Sequence, residues 1–157
     1  MAAVGTRDRP ARRRLLAAAS ELFYSDGMHA TGVEAITEHA GVARKSFYNN
    51  FASKGDLELA YIEARHQEWL GLHASRVRTA ESADDRVLAV FDAYIDHASD
   101  DYVNGFRGCG MLNAAAELPV GSPGRGAARA HKAEVESIPI PALSDRLPRT
   151  AAAPRAR

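Results

Sequence analysis

The chain has 157 residues, of which 46% are hydrophobic and 25% charged, a composition typical of a globular protein and not of a disordered one. Lysine plus arginine equal aspartate plus glutamate at 20 each, so no overall positive charge indicates a nucleic-acid partner. No apolar run approaches the ~18 residues of a membrane span and no secretory leader is recognisable, so we expect a cytoplasmic protein with no membrane partner.

The first predicted element is a helix that follows a basic segment. Residues 1–8 are small, polar and basic, and we expect a flexible arm there. Pro10 is placed where it can open a helix, and apolar residues then recur at three- and four-residue spacing. Gly27 supplies a left-handed stop, so residues 11–26 are predicted to form an amphipathic helix.

Two short helices separated by a glycine are predicted next. Thr31 stands three residues before Glu34, the spacing of a capping box, so a second helix is expected to start there. It ends about two turns later at Gly41, and a third helix is expected over residues 44–50. This arrangement over residues 32–51 is typical of a helix-turn-helix.

A long helix is predicted to follow this motif. Ser53 and Asp56 repeat the capping signature, and a helix over residues 55–75 would be roughly 30 Å long, enough to join two helical bundles. Three further helices are expected, one capped by Ser82, one over residues 111–118 and one over residues 123–137. Neither strand alternation nor an internal repeat occurs, so the predicted fold class is all-α.

The last segment of the chain differs from the rest. Four prolines and recurring arginines interrupt residues 139–157, and no helical period continues there. We therefore expect a disordered tail. Such an abrupt change is what reading a G·C-rich gene out of frame tends to produce.

A specific pattern lies between the first helix and the long helix. Its twelve positions are Gly27, Thr31, Val33, Ile36, Ala40, Gly41, Val42, Ser46, Tyr48, Phe51, Lys54 and Leu57. The pattern, within the string TGVEAITEHAGVARKSFYNNFASKGDLELAYIE, closely resembles the DNA-binding domain of the TetR family over about residues 9–67. The string GFRGCGMLNAAAE, residues 105–117, resembles a segment of some members' regulatory domains.

The resemblance implies an architecture and a function. A three-helix DNA-binding domain, residues 9–67, continues through the long helix into a shortened helical ligand-binding and dimerisation domain, residues 68–138. The expected protein is a ligand-responsive repressor that binds a near-palindromic double-stranded operator as a homodimer. Its ligand is expected to be small and apolar, and no cofactor is expected.

The DNA contacts are predicted from physical reasoning and from the resemblance. A helix that enters the major groove needs hydrogen-bonding residues near its start, and residues 41–55 hold three cations and no acid. Either Arg44 or Lys45 is suited to contact a guanine base or the DNA backbone. The resemblance implies phosphate contacts for Tyr48 and Asn49, where the family commonly has histidine at the second position. The predicted contacts are Thr31, Arg44, Lys45, Ser46, Tyr48, Asn49 and Lys54.

Aromatic and methionine side chains suggest where an apolar ligand would bind. The candidates for a pocket lining are Trp69, Phe91, Tyr94, Phe106 and Met111, with a plain core as the alternative interpretation.

The spacing of the histidines and of the candidate catalytic residues along the sequence supports neither metal binding nor catalysis. No two of the six histidines stand at the i, i+4 spacing of a helical metal site, and His66 and His73 are two turns apart. Cys109, the only cysteine, excludes an intrachain disulfide and is expected to be a buried structural thiol. A small helical enzyme with Cys109 as nucleophile remains a hypothesis without a base or an orienting acid.

The sequence leaves two questions open, the surface used for dimerisation and the function itself. The resemblance implies two final helices that pair with a partner subunit, and the segment after residue 138 is either a degraded or frame-shifted version of them, or dimerisation uses another surface. The alternative function is an interaction protein that heterodimerises with a full-length paralogue and blocks its DNA binding.

Overall fold

The computed structural model describes residues 10–99 and 105–144, and within these ranges the protein consists of helices joined by turns and loops. The helices are α1 (Pro10–Ser25), α2 (Val33–His39), α3 (Arg44–Tyr48), α4 (Lys54–Val77), α5 (Ala83–Ala98), α6 (Gly110–Glu117), α7 (Pro123–Ser137) and α8 (Ile140–Ser144). The predicted all-α fold is confirmed. The predicted basic arm, residues 1–8, lies outside the described residues.

Serine caps determine where three of the helices begin. The Ser53 side chain accepts a hydrogen bond from the N–H of Asp56, and Ser82 forms a complete capping box with Asp85. Ser122 caps α7 ahead of a first-turn proline. These local bonds satisfy N–H groups that have no partner inside the helix, so the sequence alone locates these helix starts well.

The predicted cap of α2 is wrong. Gly32 is the N-cap and makes no side-chain cap bond, whereas Thr31 is only 3% exposed. The Thr31 hydroxyl donates to the carbonyl oxygen of Gly27 at 2.7 Å, and it also lies 3.3 Å from the Leu22 carbonyl oxygen. The Thr31 hydroxyl therefore bonds to carbonyl oxygens at and just after the end of α1 and does not cap α2.

The long helix α4 contacts two hydrophobic cores. The larger core joins α1, α2 and α3 to the first half of α4 and also takes in Met111, Ala114, Leu118 and Ala128 from the α6–α7 region. The smaller core consists of Trp69, Val90, Ala93 and Val135. Helices from the predicted regulatory part thus complete the core of the predicted DNA-binding part.

The chain after residue 138 contains a short helix that the sequence reading missed. Helix α8 packs on α5 and buries Ala142, so the expected disorder is corrected for residues 140–144. Pro141 is tolerated because it lies in the first turn, where its missing N–H has no helical partner to lose. Residues 145–157 lie outside the described ranges.

Helix α5 leaves part of its apolar surface uncovered within the described chain. Leu88, Phe91 and Ile95 fall at three- and four-residue spacing and are each more than half exposed. None of the helices over the described ranges is both long and apolar enough to span a lipid bilayer.

Candidate DNA-binding site

The turn between α2 and α3 depends on one glycine. Gly41 has a φ of 61°, in the left-handed region that favours glycine, and its N–H donates to the Glu38 carbonyl oxygen at 3.0 Å. The N–H of Val42 donates to the Thr37 carbonyl oxygen at 3.0 Å. A Cβ at Gly41 would meet no atom of the described residues within 4 Å, so backbone conformation, and not space, requires glycine here.

Two phenylalanines attach α3 to the larger core. Phe47 is fully buried and Phe51 is 4% exposed, and their ring centroids are 5.9 Å apart. On α1, the guanidinium of Arg12 lies 4.7 Å from the centre of the Phe51 ring, within the range of a cation–π contact. The inner face of α3 is therefore held firmly, which leaves its polar face outward.

The outer face of α3 carries most of the predicted DNA contacts. Lys45 and Asn49 are exposed, Ser46 is half-buried, and the Tyr48 side chain is half exposed with its ring edge against Phe47. Arg44 is exposed as well, and its guanidinium forms an ion pair with Glu34 of α2 at 2.9 Å. Four of these five side chains lie on α3, and Asn49 follows directly as its C-cap, so all five lie close together at the protein surface.

The other two predicted contacts are occupied inside the domain. Lys54 Nζ donates to the carbonyl oxygen of Met28 at 2.6 Å and lies 3.5 Å from the Glu58 carboxylate. Thr31 is buried, as described above, and this burial removes its hydroxyl from the surface. In this conformation Lys54 ties the start of α4 to the loop that precedes α2, and Thr31 ties the same loop to α1.

The segment leading into α6 is bonded to the far end of α1. The Tyr24 hydroxyl accepts from the N–H of Arg107 at 2.6 Å and donates to the Gly108 carbonyl oxygen at 3.0 Å. At the other end of α6, the Glu117 carboxylate accepts from the N–H of His29 at 2.8 Å. The α1–α2 loop is thus bonded to the rest of the protein beside the helix-turn-helix.

A small cavity lies between α4, α5 and α7. Its lining includes three of the five residues predicted for the ligand pocket, namely Trp69, Tyr94 and Met111. The other two predicted lining residues, Phe91 and Phe106, do not line this cavity. They are 60% and 50% exposed, because Phe91 points off the outer face of α5 and Phe106 lies in a loop before α6. The cavity volume of about 20 Å³ has room for about one water molecule.

Sequence reasoning missed a cluster on α4 and α7. His66, His131 and Glu134 bring potential ligand atoms within 4.8 Å of one another. A search for histidine pairs within one helix does not detect it, because the two histidines lie on different helices. The signal that was available is a histidine and a carboxylate three residues apart on each helix, Glu63 with His66 and His131 with Glu134.

A glycine turn followed by a short helix, anchored by aromatic residues and polar on its outer side, defines the helix-turn-helix class of DNA-binding proteins. Comparison with known proteins identifies the family. Residues 15–61 match the family model described as bacterial regulatory proteins, tetR family. The chain belongs to the TetR family, a family of DNA-binding transcription regulators and not of enzymes.

Solved structures support this membership beyond the DNA-binding region. SCO4454, a TetR-family transcriptional regulator from Streptomyces coelicolor, is 32% identical, with a TM-score of 0.77 over 87% of this chain and 72% of that chain. The reduced form of NemR from E. coli is 26% identical, with a TM-score of 0.67 over 87% of this chain and 71% of that chain.

Two relatives match by sequence over a shorter region. FasR of Mycolicibacterium smegmatis, an HTH-type transcriptional activator, is 33% identical over 90 residues, 57% of this chain and 41% of FasR. TcmR of Streptomyces glaucescens, an HTH-type transcriptional regulator, is 33% identical over 108 residues, 66% of this chain and 47% of TcmR. The chain spans less than half the length of these curated relatives.

Proposed function

We propose that this chain binds operator DNA through α3 and acts as a ligand-responsive transcriptional repressor, working as a homodimer on a near-palindromic site. The observation that carries the proposal is the two-sided character of α3. Its inner face is fixed by Phe47, and its outer face presents Arg44, Lys45 and Tyr48 to solvent. Two-fold symmetry in the protein would require matching symmetry in the operator.

Arg44 is proposed to read a base or to contact the backbone near the start of α3. Its ion pair with Glu34 joins two exposed side chains, and such pairs contribute at most about 1 kcal/mol. The pair is therefore easily exchanged for contacts with a guanine or a phosphate, both of which accept paired hydrogen bonds from a guanidinium. Until DNA is present, Glu34 of α2 holds the Arg44 guanidinium.

Lys45, Ser46, Tyr48 and Asn49 are proposed to position α3 through phosphate contacts. Lys54 is proposed to contribute in a different way. Because its ammonium bonds to the Met28 carbonyl oxygen and lies beside Glu58, it holds the loop before α2 in place. Loss of Lys54 would then disturb the motif itself besides removing a charge, whereas Thr31 is left out of the proposed contacts.

The ligand response is proposed to act through the bonds between α6 and the end of α1. A cavity with room for about one water cannot enclose a drug-sized ligand, so ligand entry would have to separate α4, α5 and α7. Helix α6 carries Met111 of the cavity lining and, six residues later, Glu117. Displacement of α6 would therefore pull on the His29 N–H and on the loop that sets α2 and α3.

Titration of a fluorescent duplex from the gene's own upstream region, at several salt concentrations and with sedimentation to count protomers, tests the DNA proposal. Lys45→Ala should weaken binding to all duplexes and reduce the salt slope by about one. Arg44→Ala should cost about 1–3 kcal/mol at one base position if Arg44 reads guanine, and uniformly if it contacts the backbone. His39→Ala on α2 is the control, expected to leave binding unchanged. A wild-type chain that binds no duplex, or binds as a monomer, contradicts the proposal.

A further inference from the structure

The histidine cluster lies where α4 passes from the larger core to the smaller one. His66 is on the turn of α4 between Ile62, which belongs to the larger core, and Trp69, which belongs to the smaller one. Its ring stacks on that of His131 from α7, with centroids 3.9 Å apart and planes at 18°. The two imidazole rings are therefore stacked face to face where the two helices are in contact.

Carboxylates lie at the edge of this stacked pair. The His66 Nε2 atom is 2.9 Å from Glu134 Oε2, and the His131 Nε2 atom is 3.1 Å from Glu63 Oε1. The two histidine side chains are 2% and 12% exposed, whereas both glutamates are about half exposed. The nitrogen ligands are thus shielded, and the carboxylates form the side that solvent reaches.

Within the described residues, His66 Nδ1 is buried without a hydrogen-bond partner, and the 3.1 Å contact between His131 Nε2 and Glu63 does not have the geometry of a hydrogen bond. A buried polar atom without a partner is costly, and its presence in a native structure calls for an explanation. The cations next to the cluster in sequence do not occupy it: Arg65 pairs with Glu68 at 3.0 Å, and Lys132 donates to the Tyr94 hydroxyl at 2.8 Å.

The distances fit a small divalent cation. A tetrahedral Zn²⁺ with nitrogen and oxygen ligands at about 2.0–2.2 Å holds those ligand atoms roughly 3.4 Å apart. The potential ligand atoms of His66, His131 and Glu134 already lie within 4.8 Å of one another, so a contraction of at most about 1.4 Å is needed.

The donor set also selects among cations. Imidazole nitrogens suit Zn²⁺, Co²⁺ and Ni²⁺, whereas Mg²⁺ and Ca²⁺ prefer oxygen ligands alone. The one or two carboxylates beside the imidazoles also carry negative charge that a divalent ion neutralises. We propose that His66, His131 and Glu134 form a Zn²⁺-class metal site that joins α4 to α7, with Glu63 or water as the fourth ligand.

Zinc titration of the untagged, chelator-stripped full chain, followed by calorimetry, tests the site without DNA. The expected result is one Zn²⁺ per chain, unaffected by excess Mg²⁺, together with a rise in Tm of several degrees, because an ion that binds only the folded state stabilises it. Co²⁺ provides a second probe, through its absorption and through quenching of Trp69, the only tryptophan.

Three variants make the test specific. Glu134→Gln changes an exposed side chain and should fold normally yet weaken Zn²⁺ binding at least about tenfold, as should His131→Gln. His73→Gln, also on α4 but outside the cluster, should bind as the wild type does. Absence of Zn²⁺ binding, or equal affinity in all four proteins, overturns the proposal. Because no duplex is present, either result is independent of DNA binding.

Discussion

The two hydrophobic cores along α4 are built differently. The larger core combines bulky buried residues from several helices, including the fully buried Leu15, Phe47 and Leu57, and it fixes the helix-turn-helix. The smaller core relies on Trp69, two valines and an alanine, and it borders a cavity and the exposed face of α5. Dense packing suits a reading helix that must keep one geometry, whereas the sparser region is easier to rearrange.

The largest expected difference between the two regions is in the free energy of unfolding lost when a phenylalanine is replaced by alanine in each of them. Phe47→Ala removes the fully buried anchor of α3 and should lower the free energy of unfolding by about 3–5 kcal/mol. Phe91→Ala, on the exposed face of α5, should change it by no more than about 0.5 kcal/mol. Urea denaturation measures both. A loss for Phe91→Ala as large as that for Phe47→Ala would mean that the α5 face is covered in solution.

A buried tyrosine in the larger core leads us to expect a loss of stability at alkaline pH. Burial raises the pKa of Tyr61 to about 12 from its ordinary value of 10.0. Between these two values the unfolded chain has released the proton and the folded chain retains it, so stability falls as the pH rises, by about 1.4 kcal/mol per pH unit. Unfolding measured from pH 9 to pH 12 should show this fall.

Substitution separates Tyr61 from the other tyrosines. Tyr61→Phe should reduce the alkaline fall in stability, whereas Tyr48→Phe, which changes a half-exposed side chain on α3, should leave it in place. An unchanged fall in Tyr61→Phe would show that other groups cause it.

The contact between α6 and the larger core tolerates no added atom at Gly110. A Cβ there would lie 2.6 Å from the Tyr61 hydroxyl and 3.2 Å from the Tyr24 ring, both on buried side chains. Gly110→Ala should therefore cost about 1–3 kcal/mol through overpacking. Gly126→Ala in α7, where a Cβ meets nothing within 4 Å in the part of the chain that the structure describes, should stabilise the protein by up to about 1 kcal/mol. Equal thermal shifts would contradict close docking of α6.

The smallest expected effect concerns the helix-turn-helix backbone. Gly41→Ala places a side chain at a φ of 61° and should cost about 1–2 kcal/mol, although nothing blocks the new atom. Gly71→Ala in α4, which also has open space but lies within a regular helix, should be stabilising. If Gly41→Ala is equally harmless, the turn is less constrained than its geometry indicates.

Local features of the sequence determined most of the helices and the motif. The caps at Ser53, Ser82 and Ser122 and the glycine stop at Gly41 act over three or four residues, so they can be read from the sequence without knowing the fold. The same applies to the exposed polar face of α3, because its periodicity separates that face from Phe47.

Only the tertiary structure decided which partners distant residues find. Thr31 bonds to the Gly27 carbonyl oxygen just after α1 and Lys54 to the Met28 carbonyl oxygen, contacts that depend on how the chain folds back between them. The clustering of His66 with His131 likewise depends on the packing of α7 against α4, and the exposure of Phe91 on what lies beside α5. Spacing along the chain specifies a helix face, but what that face contacts depends on which elements pack against it.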